Sequence, residues 1–262
     1  MNVALIVPCH NEAARLDEYY WSQLLEFGIC VIFVDDGSSD GTLHILNSIS
    51  KKYNGRTFVI QNATNSGKAN AIREGINFYF NEIFQEFEVF GFLDADAAFE
   101  AEEVQRICTL AATKFHQGFT SIWTSRVKLL GRRIQRNALR HYLARIIATY
   151  LSRGLGQFPY DSQSGFKLFK YSRDFRIVFE KRFETRWFFD LEVLSRLHSL
   201  GLNDKIWEEP VESWTDVEGS KLNSLRELFR IAIEIIKIRR ILWLGTGSNR
   251  RPHDFQSRAR TN

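Results

Sequence analysis

A mainly parallel α/β sheet with helices on both faces is the fold this sequence predicts, on three observations. Short apolar runs alternate with helical patterns through the first 125 residues. The runs are continuously Val-, Ile- and Phe-rich between turn residues, as strands buried on both faces are. Carboxylates follow several of the runs directly, at the strand ends where open α/β sheets bind ligands.

Taken in order, 3–7, 29–34, 57–60, 89–93 and 121–124 read as strands, and 12–27, 41–53, 68–86 and 100–116 as the helices between them. Such alternation builds βαβ units and hence parallel strands. The second half is less regular. A basic helix is expected over 131–152, then a Gly/Pro turn at 154–159, a strand at 165–169 and a helix at 187–200. A strand-like 206–214 and a long helix at 222–243 follow, and the tail 245–262 is Gly-, Ser-, Arg- and Asn-rich, a composition that favours disorder. One domain over 1–244 is expected, with a first half (1–125) and a second half (126–244) meeting at one sheet edge.

The 262 residues are 44% hydrophobic and 25% charged, enough for a sizeable core. Cys9, Cys30 and Cys108 are widely spaced in apolar settings, without metal-ligand or redox spacing, and read as reduced, buried thiols of a cytoplasmic chain. The start runs straight into a strand with no basic n-region or cleavage site, and no apolar run reaches the roughly 20 residues of a membrane span. The chain is expected to be cytoplasmic, at most peripheral on the membrane face. Net charge is +4, but no acidic residue lies between Glu103 and Asp161, where Arg106, Lys114, Arg126, Lys128, Arg132, Arg133, Arg136, Arg140, Arg145 and Arg153 fall. Unbalanced positive charge of this kind attracts phosphates.

The first strand ends in Pro8-Cys9-His10-Asn11-Glu12, the second in Asp35-Asp36-Gly37-Ser38-Ser39-Asp40-Gly41, and the fourth in Asp94-Ala95-Asp96. Like charges gathered at one edge need a cation or donors to offset them. A divalent metal with oxygen ligands, Mg²⁺ or Mn²⁺ shared with substrate phosphates, is the simplest offset. A Walker loop fails at Asn62 and Ala69, no G-x-G-x-x-G follows the first strand, and no H-E-x-x-H or nucleophile elbow is present. A nucleotidyltransferase would open with a Gly-rich loop and a Lys that Pro8–Glu12 lacks. A non-catalytic polyanion or membrane binder would have no use for carboxylates at three strand ends, and no nucleic-acid partner is expected.

In this order, V-P-C-H-N-E, V-D-D-G-S-S-D-G-T, N-S-G-K-A-N-A and L-D-A-D resemble the family 2 glycosyltransferases. Further on, Asp161-Ser162-Gln163-Ser164-Gly165-Phe166-Lys167-Leu168-Phe169, Arg186-Trp187-Phe188-Phe189-Asp190-Leu191-Glu192 and Gly219-Ser220-Lys221 resemble the branch that glycosylates dolichyl or polyprenyl phosphate, most of all the dolichyl-phosphate glucosyltransferases. The resemblance implies a GT-A type (nucleotide-diphospho-sugar transferase) fold and an inverting transfer from a nucleotide-sugar donor, UDP-glucose in that branch, to a lipid phosphate at an anionic membrane surface. A glycan or small-molecule hydroxyl is the alternative acceptor.

Carried over position by position, the resemblance places Pro8 and Glu12 against the nucleotide, Asp36 at the base, with His10 beside it, and Lys68 near the nucleotide; Lys221, at the start of the last helix, is expected to close on the diphosphate. Asp94 and Asp96 become the donor-diphosphate and metal carboxylates. Ala97 and Ala98 stand where polyprenyl-phosphate enzymes often have a further polar ligand. Asp190 falls at the catalytic base, two residues from Glu192, and Asp161 joins it as a catalytic or acceptor-loop carboxylate. Arg126 is expected at the acceptor phosphate, as is Lys167. Arg132, Arg136 and Arg140 recur at i, i+4 and would line one side of a helix, running into an apolar stripe of Leu139, Leu143, Ile146 and Tyr150. A phosphate monoester, with a second pKa of about 6, is already ionised near neutrality and needs cations more than a base.

Overall fold

The structure, a computed structural model, describes residues 2–136, 138–152, 158–216 and 225–247. In chain order it runs β1 (Val3–Cys9), α1 (Glu18–Glu26), β2 (Cys30–Asp35), α2 (Thr42–Lys52), β3 (Thr57–Gln61), α3 (Lys68–Phe78), β4 (Val89–Leu93), α4 (Ala101–His116) and β5 (Ser121–Ser125). There follow β6 (Arg133–Gln135), α5 (Ala138–Ser152), β7 (Phe166–Lys170), α6 (Arg173–Glu180), α7 (Phe189–Ser199), β8 (Ile206–Pro210), β9 (Ser213–Thr215) and α8 (Leu225–Gly247).

Seven strands form one sheet in the order β3-β2-β1-β4-β7-β5-β8. β1 pairs parallel with β2 and β4, β2 with β3, and β5 with β8, while β7 lies antiparallel between β4 and β5. The pleat divides the core in two. Leu5, Val7, Val31 and Phe33 point into the layer holding Trp21, Leu24, Leu46 and Ile107 of α1, α2 and α4. Ala4, Ile6, Ile32 and Val34 point into the layer holding Ile72, Ile76, Phe175, Val193 and Ile238 of α3, α6, α7 and α8. Alternate residues thus serve opposite faces, which is why these strands read as unbroken apolar runs.

The expected α/β architecture is present, with shifts of physical origin. α1 starts at Glu18 rather than at residue 12, because Asp17 caps it by accepting from the Tyr19 amide at 2.9 Å and the chain before it forms a turn, with the Arg15 and Leu16 amides on the Glu12 carbonyl. α3 ends at Phe78 and passes into a π-helical turn over Tyr79–Ile83. α6 was not expected; its signals were Ser172, which caps it, and the spacing of buried Phe175, Val178 and Phe179. The largest correction concerns 131–152. Arg133–Gln135 is a strand that pairs with β9 in a separate two-stranded sheet, and the helix begins only at Ala138.

Register positions the functional edge. Cys9 is opposite Asp35 and Ile6 opposite Phe92, so β1, β2 and β4 end nearly level and deliver 8–12, 35–40 and 94–96 to one rim. Antiparallel β7 begins at that same rim: Leu93 faces Phe166, and the Asp94 amide donates to the Gly165 carbonyl at 3.1 Å. Residues 161–165 therefore reach the rim from the other side of β4.

Candidate functional site

The loops after β1 and β2 are laced together by short polar side chains. Asn11, at φ 55°, receives a bond from the Ser39 amide and donates its own amide to Ser38 Oγ, while Asp40 accepts from the Ala13 and Thr42 amides. Ala97, in the loop after β4, also has a positive φ of 53°. Non-glycine residues held in this region are costly and gather at functional sites. Here both lie at the rim.

Asp36 is buried, and its carboxylate is fully engaged by the loop that opens α3. It accepts from Asn62 Nδ2 at 3.0 Å, the Ser66 amide at 2.9 Å, Ser66 Oγ at 2.8 Å and the Gly67 amide at 2.7 Å. Burial would raise its pKa, but these donors win and hold it below the usual carboxylate range. Asp36 was expected at the nucleotide base; the structure shows it clasping the β2 and α3 loops. His10 Nδ1 lies 3.0 Å from the Asp36 carbonyl oxygen, so the His10 ring closes over the same loop.

The clasp brings Lys68 to β4. Lys68 Nζ is 2.5 Å from Asp94 Oδ1. Burial opposes its protonated form, yet Asp94, in contact, and the charges of Asp190 and Asp96 raise its pKa. Gly165 is needed here, since a Cβ would come within 2.2 Å of Asp94 Oδ2. Asp96 accepts from the Ala98 amide at 3.2 Å, and its pKa is raised by burial and by Asp94. Glu12 completes this end: Arg15 holds Oε1 at 2.6 Å, Oε2 is buried without a partner, and burial, with Asp96 and Asp94, lifts its pKa against Arg15.

This end therefore carries more negative charge than its donors offset. Asp94 and Asp96 could hold a divalent cation; both offer hard oxygen ligands, and the Asp96 carboxylate is occupied only by the Ala98 amide. Among the described residues no three His, Cys, Asp or Glu side chains form a protein-only cage, so further ligands would come from phosphate or water.

The opposite end is charge-balanced within the protein. Lys167, expected at the acceptor phosphate, has no exposed surface: its Nζ donates to the carbonyls of Ser162 at 3.0 Å and Ser164 at 2.7 Å and meets Asp190 Oδ1 at 2.7 Å. It also lies over the rings of Trp123 and Phe92, its register partners on β5 and β4. Burial lowers the Lys167 pKa against the pull of Asp190, and burial raises that of Asp190 against Lys167 and Lys68. A buried lysine with three acceptors cannot reach an acceptor phosphate; it fixes Asp190, on the first turn of α7. Glu192 accepts from Thr185 N and Oγ1 and the Glu184 amide, so it holds the preceding loop and does not face the site.

Arg126 follows β5 directly, as expected, and forms a fork on Asp161 with Nε at 2.7 Å and Nη2 at 2.8 Å, over the Trp214 ring. Arg136 Nη1 approaches the same carboxylate at 3.5 Å. Burial would raise the Asp161 pKa, but the two arginines drive it well below the carboxylate range. Asp161, expected among the catalytic carboxylates, is thus an ionised anchor and no proton acceptor. Arg132 is ion-paired with Glu212 and Arg133 with Glu100. With β6 between them, Arg132 and Arg136 share no helix face, so the expected arginine stripe is broken; the Arg140 side chain lies outside the described residues, as does Lys221.

A nucleotide-sugar transferase of α/β type is the class this arrangement fits: strand-end carboxylates under-compensated at one end of the rim, and carboxylates matched by protein cations at the other. The family model of glycosyl transferase family 2 matches residues 4–174, and the chain belongs to that family. It is similar to the dolichyl-phosphate beta-glucosyltransferases of Dictyostelium discoideum (28% identical over 254 residues, 90% of this chain and 73% of the relative) and Saccharomyces cerevisiae (26% over 272 residues, 93% and 75%). Among solved structures it resembles S. aureus TarS 1–349 in complex with UDP (TM-score 0.56, 18% identity, 93% of this chain and 66% of that one). It also resembles the mannosyltransferase PcManGT from Pyrobaculum calidifontis in complex with GDP-Man and Mn²⁺ (TM-score 0.57, 15% identity, 90% of this chain and 62% of that one). The chain spans less than two thirds of both solved chains, and at these identities the likeness carries the GT-A fold alone.

Proposed function

We propose that the chain transfers glucose, with inversion, from UDP-glucose to a polyprenyl phosphate. The observation that carries the reading is the charge asymmetry of one rim. Asp94 and Asp96 stand under-compensated beside Lys68, and Arg126 is fixed a strand away on Asp161, in a chain similar to dolichyl-phosphate beta-glucosyltransferases.

Pro8, Glu12 and the loop clasped by Asp36 would take the nucleoside; Lys68, Asp94 and Asp96 would take the diphosphate. Mg²⁺ or Mn²⁺, held by Asp96 and Asp94, would supply positive charge that stabilises the leaving diphosphate. Lys68 adds to that charge from the protein side. Arg126, with 13% of its side chain exposed and its Nε and Nη2 edge fixed on Asp161, is pre-oriented for an anionic acceptor. A phosphate acceptor brings an ionised oxygen of its own, so Asp190 has no proton to remove and stays paired with Lys167. With a hydroxyl acceptor the same carboxylate would be the base, and its raised pKa favours that role.

No helix among the described residues is long and apolar enough to cross a membrane. Exposed Tyr142, Ile146 and Tyr150 follow one another at four-residue spacing on α5, with Arg145 beside them, which suits peripheral contact with an anionic lipid face. The test offers labelled UDP-glucose to polyprenyl phosphate and to simple glycan hydroxyls side by side, with Mg²⁺ or Mn²⁺. Lipid-extractable label is expected. Label confined to water-soluble acceptors overturns the lipid reading and leaves the family assignment standing.

A further inference from the structure

The arginines at the rim share a feature that one of them lacks. Arg15 meets Glu12, and Arg126 and Arg136 meet Asp161. Arg186 is exposed and has no carboxylate on its guanidinium among the described residues; Nη2 reaches Asn65 Oδ1 at 3.3 Å, a long bond to a neutral acceptor. A cation kept beside a carboxylate-rich rim without joining any carboxylate is poised for an external anion.

Its placement is built. The Arg186 amide donates to Glu234 Oε1 at 3.0 Å and the next amide, of Trp187, to Glu234 Oε2 at 2.8 Å, so α8 fixes the backbone at this point. Glu192 holds the two residues before it through the Glu184 and Thr185 amides. The side chain then crosses to the loop opening α3 and lies on Gly67, where a Cβ would be 3.0 Å from Nε and 3.2 Å from Nη2. Gly67 has φ +88°, so a side chain there would be strained as well as obstructive. The Gly67 amide donates to Asp36, and the next residue, Lys68, is on Asp94. The guanidinium therefore stands between the nucleoside side of the rim and its phosphate side.

We infer that Arg186 is a donor-binding residue that holds the diphosphate of the nucleotide sugar together with Lys68. The inference rests on the donor reading above and adds a residue to it from a segment distant in sequence from the other donor residues. The planar fork suits phosphate oxygens, and the Asn65 bond is the contact it would exchange for them.

Calorimetry with UDP and with uridine, on the wild type and on Arg186→Gln and Arg186→Lys, tests it. For Arg186→Gln, UDP affinity is expected to fall roughly 10- to 100-fold, the scale of a hydrogen bond to a charged group, with uridine affinity unchanged. Arg186→Lys should fall in between, since it keeps the charge without the fork. Unchanged UDP affinity in Arg186→Gln overturns the inference, and so does an equal loss for UDP and uridine, which would make Arg186 a support for the Asn65–Gly67 loop. A wild type that binds neither UDP nor uridine overturns the donor reading and this inference with it.

Discussion

The two ends of the rim handle charge in opposite ways. At the proposed donor end, Glu12, Asp94 and Asp96 crowd together around few donors, and burial and mutual repulsion push Glu12 and Asp96 toward protonation. At the proposed acceptor end, Asp161 satisfies Arg126 and Arg136, and Asp190 satisfies Lys167. The first arrangement leaves carboxylate charge for a ligand to offset; the second is matched within the chain. Charge that is left over marks where a cation and diphosphate would bind, whereas charge that is matched holds the groups around it still, Arg126 among them.

The sharpest test of that contrast is Lys167→Met. It leaves Asp190 buried without its ammonium and the Ser162 and Ser164 carbonyls without their donor, and should destabilise the fold by about 3–5 kcal/mol in chemical denaturation. Replacing both members, Lys167→Met with Asp190→Leu, should recover most of that loss, because no charge is then left unpaired. A single variant within ~1 kcal/mol of the wild type would mean that the pair is not an internal support.

At the donor end the expectation reverses. Asp96→Asn relieves repulsion, so the fold should be kept or slightly stabilised, while transfer should fall by at least ~10²-fold, the scale of losing one electrostatic stabiliser. Steady-state kinetics over a Mn²⁺ titration read both the loss and any change in metal requirement. Activity near wild type with the same metal dependence would remove Asp96 from the metal site.

Acid separates the ends further. Asp161 has its pKa depressed in the folded protein relative to about 3.9 in the unfolded chain. Its pairing therefore contributes stability that is fully present above the unfolded value and is lost as pH falls through the lower folded value. Wild-type melting temperature should drop on acidification below about pH 4. Asp161→Asn should be less stable already at neutral pH and should lose less over the acid window. An identical acid slope in the two proteins would show that the Arg126–Asp161 contact is not formed.

The contrast also explains what was legible in the sequence. β1, β2 and β4 are parallel strands whose ends fall level, so carboxylates just past an apolar run, Glu12, Asp94 and Asp96, could be assigned to one edge from spacing alone. Asp36 was legible as a rim residue, but its four donors come from Asn62, Ser66 and Gly67, a loop whose path no periodicity reveals. Lys167 was misread because a lysine on a strand is normally exposed on one face, whereas β7 is a central strand with a core layer on each face, Phe166 and Leu168 in one and Phe169 in the other. The i, i+4 spacing of Arg132, Arg136 and Arg140 failed for a related reason. Periodicity presumes a helix, and pairing of Arg133–Gln135 with β9 overrides it at a distance of about 80 residues in the chain.

The smallest expected effect is the one most exposed to refutation. Arg132 has 29% of its side chain exposed and is paired with Glu212, itself 50% exposed, next to the β6–β9 sheet. Surface pairs of this kind contribute about 0–1 kcal/mol and are screened by salt. If the acceptor-end cations are matched within the protein, Arg132→Ala should change stability by less than ~1 kcal/mol and leave transfer to polyprenyl phosphate within about twofold of wild type. Arg126→Ala should lose transfer while keeping nucleotide binding, because Arg126 stands at the rim and Arg132 does not. Should Arg132→Ala instead raise the KM for the lipid acceptor severalfold, with kcat and donor KM unchanged, Glu212 would be a resting partner that the acceptor phosphate displaces. The acceptor end would then hold reserve charge, and the contrast between the two ends would be one of degree.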